Sequence, residues 1–87
     1  MSLYSDQYII QINYINNRSQ NYIIFSKNIH KIYDIFQNNL DNVTIIHIVK
    51  FIDNKFEDFS FGSENSIILD YQREELFEWI SNQYKKN

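Results

Sequence analysis

From residue 8 the chain alternates. Tyr8, Ile10, Ile12 and Tyr14 share one parity, with Gln11 and Asn13 on the other. A period of two marks a half-buried strand, so residues 8–15 are expected to be extended. The polar stretch Asn16, Asn17, Arg18, Ser19, Gln20 follows. Its asparagines tolerate the left-handed backbone that a tight turn needs. Residues 21–25 then return as a second strand, completing an antiparallel hairpin.

Beyond residue 25 the period changes. Ile29, Ile32, Tyr33, Phe36 and Leu40 are spaced i, i+3, i+4, i+7 and i+11, the stripe of one helical face. Ser26 or Asn28 is placed to act as N-cap, and Asn38, Asn39, Asp41 and Asn42 mark the end. Lys27, His30, Lys31 and Asp34 fall on the solvent side. Residues 43–52 form a nearly unbroken β-branched run, interrupted by His47 and Lys50. Such a run suits a central strand covered on one face and partly on the other. Asp53 and Asn54 signal a two-residue turn, and residues 55–61 follow as a strand with Phe59 and Phe61 on one face, Asp58 and Ser60 on the other. Gly62 opens the next turn, where a positive φ suits glycine. Residues 66–69 read as a short fifth strand. Asp70 is placed to cap a second helix with Leu76, Phe77, Ile80 and Tyr84 on its inner face and Lys85 and Lys86 at its C-terminal end.

The order β-β-α-β-β-β-α predicts an α+β fold: a single antiparallel sheet of about five strands with two helices on one face. A faint repeat runs through it. Residues 8–12 (Tyr-Ile-Ile-Gln-Ile) resemble residues 44–48 (Thr-Ile-Ile-His-Ile), and residues 14–17 (Tyr-Ile-Asn-Asn) resemble residues 51–54 (Phe-Ile-Asp-Asn). Each copy is followed by a returning strand and then a helix.

Composition narrows the chemistry. The 87 residues make a single domain, 1–87, and include no Cys, Pro or Ala and one Gly, against sixteen Ile, twelve Asn, seven Tyr and seven Phe. A thiol nucleophile, a thiolate metal site, a disulfide framework and a glycine-rich phosphate cradle are thereby excluded. The excess of residues with A/T-rich codons suggests an A/T-rich bacterium or its phage. No signal-peptide pattern or long apolar run appears, so the expected location is cytoplasmic, with no membrane contact. A net charge of −3 argues against a general nucleic-acid binder, which carries a basic footprint.

Few residues remain to carry a function. His30 and His47 fall on different elements, so no metal site is expected, and nothing implies a cofactor or a catalytic group. Asp53, Glu57, Asp58 and Glu64 gather around the hairpin of residues 43–61 and the turn after it. They are either a solvated edge or an acidic surface that docks onto a partner with a basic surface. Aromatic residues make up 17% of the chain, more than a small core needs. Trp79 lies off the Leu76–Ile80 stripe, and Tyr14 shares one face of the first strand with Tyr8; Trp79 and Tyr14 are each a candidate anchor, since Trp and Tyr are frequent hot spots. If both helices cover one sheet face, the other must present Ile, Tyr and Phe to water, and such a patch marks an interface. The expectation is a small non-enzymatic protein–protein interaction module. Its most concrete form is a phage or mobile-element inhibitor of a host nucleic-acid-handling or defence enzyme of the CRISPR type. The alternatives are a homodimer or other self-assembling regulatory protein and, less favoured, a single-stranded nucleic-acid binder.

Overall fold

A computed structural model describes residues 6–85, with the side chains of residues 38–39 and 84–85 outside the description. Strands β1 (Gln7–Tyr14) and β2 (Ser19–Phe25) form the first hairpin. A 3-10 turn (Ser26–Asn28) leads into helix α1 (Lys31–Asn39). Strands β3 (Val43–Ile52) and β4 (Lys55–Gly62) form the second hairpin, and helix α2 (Asp70–Lys85) closes the described chain. The four strands make one antiparallel sheet in the order β2-β1-β3-β4. The fold is α+β, and the order ββα occurs twice.

Turn chemistry sets both hairpins. Asn17 takes φ 67° in the first loop, and Asp53 and Asn54 take φ 54° and 65° in the second. Two consecutive left-handed residues are the signature of a type I′ turn, whose twist matches that of the strands it joins.

The sheet's inner face is read from alternation. Tyr8, Ile10 and Ile12 of β1 and Ile46 and Ile48 of β3 are buried, and Ile29, Ile32, Phe36, Leu40, Ile68, Leu76 and Ile80 close over them. Val43 and Thr44 are both buried although adjacent. The cause is a bulge: the pairing steps from Asn13↔Ile45 to Tyr14↔Val43, leaving Thr44 as the extra residue. Its hydroxyl donates to the Asn13 carbonyl at 3.3 Å. Gly62 lies across this bulge with φ 98°, and a Cβ there would sit 2.0 Å from the Thr44 carbonyl oxygen. The glycine is required by the close approach of β4 to the bulge as well as by its φ.

Three local expectations are corrected. Residues 66–69 are not a strand: a single bridge joins Ser63 to Ser66, and the Ile68 N–H reaches the Val43 carbonyl at 2.8 Å. The segment is spent on seating the Ile68 side chain in the core, so the sheet has four strands and not five. Helix α1 begins at Lys31 without a side-chain cap; backbone bonds from Ile29 to Ser26 and from Ile32 to Ile29 carry the chain in instead of Ser26 or Asn28 side chains. Asp70 lies in the first turn of α2, not before it. There the Gln72 side chain accepts from the Leu69 N–H at 2.8 Å, the returning half of a capping box, while the Asp70 carboxylate still suits the positive end of the helix. The inner face of α2 runs from Leu76 and Ile80 to the buried Gln83. The roles expected of the Tyr84, Lys85 and Lys86 side chains lie outside the described residues.

Candidate interaction surface

Both helices lie against the inner face, so the parity that buries Tyr8, Ile10 and Ile12 sends their neighbours to the opposite side. There the register aligns four rows across the sheet. The first is Phe25, Gln7, Phe51, Phe56; the second is Ile23, Ile9, Val49, Asp58. The third is Asn21, Gln11, His47, Ser60, and the fourth Ser19, Asn13, Ile45, Gly62. The open face is therefore divided into an apolar end beside the β3–β4 turn and a polar end beside the bulge.

Exposure confirms that no described element covers the apolar end. Ile23 is 63% exposed, Phe25 45% and Phe56 69%. Ile9, Val49 and Phe51 are half-buried between them. Phe51 and Phe56 face each other across the β3–β4 pair with ring centroids 4.6 Å apart. The three exposed side chains alone leave roughly 350 Å² of apolar surface in water, comparable with the largest patch on a typical monomer. At the polar end His47 Nδ1 meets Ser60 Oγ at 2.9 Å. Of the residues in the four rows, Asp58 is the only acid, and none is Lys or Arg.

The six residues singled out from sequence occupy three places. Asp53, Glu57 and Asp58 share the second hairpin. Asp53 is exposed in its turn, where its N–H donates to Asp6 Oδ1 at 3.2 Å. Glu57 stands on the helix side opposite Lys50, and Asp58 on the open face opposite Val49. Lys50 and Lys55 line the same depression as Asp53 and Glu57, so the helix side of this hairpin is of mixed charge. Glu64 and Tyr14 sit together at the far end of the sheet around a shallow depression that Arg18 and His47 also line. The Tyr14 hydroxyl donates to Gln20 Oε1 at 2.8 Å, and the Tyr22 hydroxyl reaches the same oxygen at 2.9 Å. Trp79 is half-buried on the helix side, its ring 4.8 Å from Phe59, 6.0 Å from Tyr8 and 6.4 Å from Phe61. The aromatic pairs Tyr8 with Tyr14 and Phe59 with Phe61 thus belong to the inner face.

Beneath that face a polar cluster ends the core. Lys50 Nζ donates to Gln83 Oε1 at 2.7 Å, and Gln83 Nε2 to the Trp79 carbonyl at 3.4 Å. Burial pushes the Tyr8 hydroxyl above its ordinary pKa near 10, and the negative charges of Asp6 and Glu57 add to it. Burial also raises Tyr14, with a smaller contribution from Tyr22.

The surface residues that individual inspection missed are Ile9, Ile23, Phe25, Val49, Phe51 and Phe56. A signal for them existed in β1, where Ile9 breaks the alternation. In β3 nearly every position is apolar, so parity hides Val49 and Phe51. The chain matches no protein-family model, no curated protein and no solved structure.

Proposed function

We propose that this chain is a non-enzymatic protein–protein interaction module that docks through the apolar end of its open sheet face. The observation carrying the reading is the cluster of Ile23, Phe25 and Phe56, exposed together on a face whose four rows hold one acid and neither Lys nor Arg. The occupant that fits is a protein surface with an apolar centre and a basic group aligned with Asp58, the arrangement of an interface core with a charged rim. Single-stranded nucleic acid fits less well, because ring stacking there is accompanied by cations along the backbone track. Asp58 and the exposed turn at Asp53 keep the part in partner selection expected of them. The anchor moves from Trp79 and Tyr14 to Phe56 and its neighbours. Small size, acidic charge and A/T-rich composition support the most specific form of the reading, an inhibitor from a phage or mobile element that occupies a host nucleic-acid-handling or defence enzyme.

The test uses the tag-free chain incubated with lysate of a low-GC bacterium. The wild type is expected to retain a stoichiometric protein and Phe56→Asp to lose it. Asp58→Lys is expected to slow association with the purified partner, most of all at low salt. Phe56 is largely solvent-exposed, so its replacement leaves the fold intact. Capture that survives Phe56→Asp would overturn the proposed surface.

A further inference from the structure

The two outer strands of the sheet are unlike in a way that bears on self-association. Strand β4 carries Lys55, Glu57 and Asp58, the kind of charge that protects an edge from pairing with another chain. Strand β2 reads Ser-Gln-Asn-Tyr-Ile-Ile-Phe, with no charge and no proline, and no other described strand pairs with its outer side. Its nearest flanking charges, Arg18 and Lys27, lie beyond the ends of the strand.

The hydrogen-bond phase identifies which backbone groups are free. The Tyr14 N–H donates to the Arg18 carbonyl at 2.8 Å, and the Ser26 N–H donates to the Asp6 carbonyl at 3.0 Å, at the two ends of one register. Bonded pairs alternate in an antiparallel ladder, so the even residues of β2 turn their backbone groups to β1. The N–H and C=O of Ser19, Asn21, Ile23 and Phe25 point away from the sheet.

We infer that a second copy of this chain pairs with β2 along this edge, antiparallel and about a two-fold axis at Tyr22, to form a continuous eight-stranded sheet. In that register Asn21 bonds Ile23 of the other copy and Ser19 bonds Phe25, so every outward group on the strand is satisfied and no like charges oppose each other within it. Closure follows from the contrast between the edges. Once the two β2 strands are joined, both free edges are β4, and their charges stop further addition. The Ile23 side chains then lie near the axis on the open side, so the two apolar patches meet there. The inference rests on the backbone groups of β2 and not on the docking reading, with which it shares Ile23 and Phe25; Phe56, at the opposite edge of the sheet, separates the two in a test.

One strand edge buries less than the ~1,000 Å² of a stable interface, so dissociation at about 100 µM is expected. The full chain is examined by sedimentation equilibrium from about 5 to 500 µM. A rise in mass from 10.7 kDa toward twice that value, insensitive to added salt, is expected. Asn21→Pro removes an outward N–H while leaving the bonds to β1, a change that edge strands tolerate, and it should weaken the dimer at least about tenfold. Phe56→Asp should leave the dimer unchanged. A wild type that stays monomeric throughout overturns the inference, as does a dimer that persists in Asn21→Pro. If Asn21→Pro does not fold, amide exchange on the wild type decides instead. Protection of the Ile23 and Phe25 N–H groups that rises with concentration supports edge pairing, and protection independent of concentration overturns it.

Discussion

The two ββα halves of this molecule are alike in the burial and pairing of their central strands and unlike at their rims. A shift of 36 residues carries Tyr8, Ile10 and Ile12 onto Thr44, Ile46 and Ile48, all buried. The pairs Ile10↔Ile48 and Ile12↔Ile46 exchange under the same shift, so the β1–β3 ladder has its own approximate two-fold axis, passing through Gln11↔His47. Away from that axis the halves part. The first hairpin turns through residues 15–18 and the second through Asp53 and Asn54. Strand β2 is uncharged and α1 has nine residues, whereas β4 is charged and α2 has sixteen, with Trp79 lying over Phe59 and Phe61. The shared part is core. The edge proposed for pairing is β2, and the most exposed residues of the surface proposed for docking, Ile23, Phe25 and Phe56, lie on β2 and β4, so both readings draw on the parts that differ.

If the central strands are equivalent in energy as well as geometry, truncating matched residues should cost the same. Ile10→Ala and Ile46→Ala each remove a side chain with no exposed surface, on opposite sides of the two-fold axis. Each is expected to lower stability by about 3.5 kcal/mol in urea denaturation, from lost transfer energy plus the cavity left behind. A difference above about 1 kcal/mol between them would break the comparison, showing that one half supplies the stability and the other leans on it.

The next largest effect has no counterpart in the first half. Gly62→Ala combines a φ of 98° with a Cβ 2.0 Å from the Thr44 carbonyl oxygen. Relief requires β4 to move away from the bulge, so a loss of about 3 kcal/mol is expected from the denaturation midpoint. No glycine stands in β2, so the first half tolerates side chains throughout its outer strand. An unchanged midpoint in Gly62→Ala would mean that the bulge at Thr44 is free to relax.

Periodicity made most of this fold legible, because alternation and the helical stripe each act within a single element. The run of residues 43–52 matched β3 to the residue, and the Asp53-Asn54 turn was written in residue types that tolerate φ > 0. What stayed hidden depended on contacts between elements. Residues 66–69 look like a strand because Ile67, Ile68 and Leu69 are apolar, yet only Ile68 is buried, and the other two are exposed. Trp79 looked available as an anchor because it leaves the helical stripe, but β4 extends far enough for Phe59 and Phe61 to meet it. The open face required knowing which parity of β3 the helices cover, and a strand that is apolar at nearly every position, with His47 and Lys50 on opposite parities, does not state that. Its membership became clear only when the register tied Val49 and Phe51 to Ile9 and Gln7.

The smallest expected effect also separates the halves. Tyr8 and Tyr14 both titrate above their ordinary value near 10, and both belong to the first half; the counterpart of Tyr8 is Thr44, which carries no titratable group. A folded-state pKa above the unfolded one means that the folded chain holds a proton the unfolded chain has released. The associated stability is complete below pH 10 and is lost as pH rises through the folded values. Stability of the wild type should therefore decline as pH rises above about 10, and Tyr8→Phe should flatten that decline by removing a phenol whose burial raises its pKa. Tyr14→Phe should do so to a lesser degree, since its neighbouring group is Tyr22 and not a carboxylate. The informative quantity is the difference between wild type and variant at each pH, read from urea midpoints. If the Tyr8→Phe curve runs parallel to that of the wild type, the Tyr8 hydroxyl is ionising as freely in the folded chain as in the unfolded one. The cluster of Lys50, Gln83 and Trp79 around it would then be open enough to admit water.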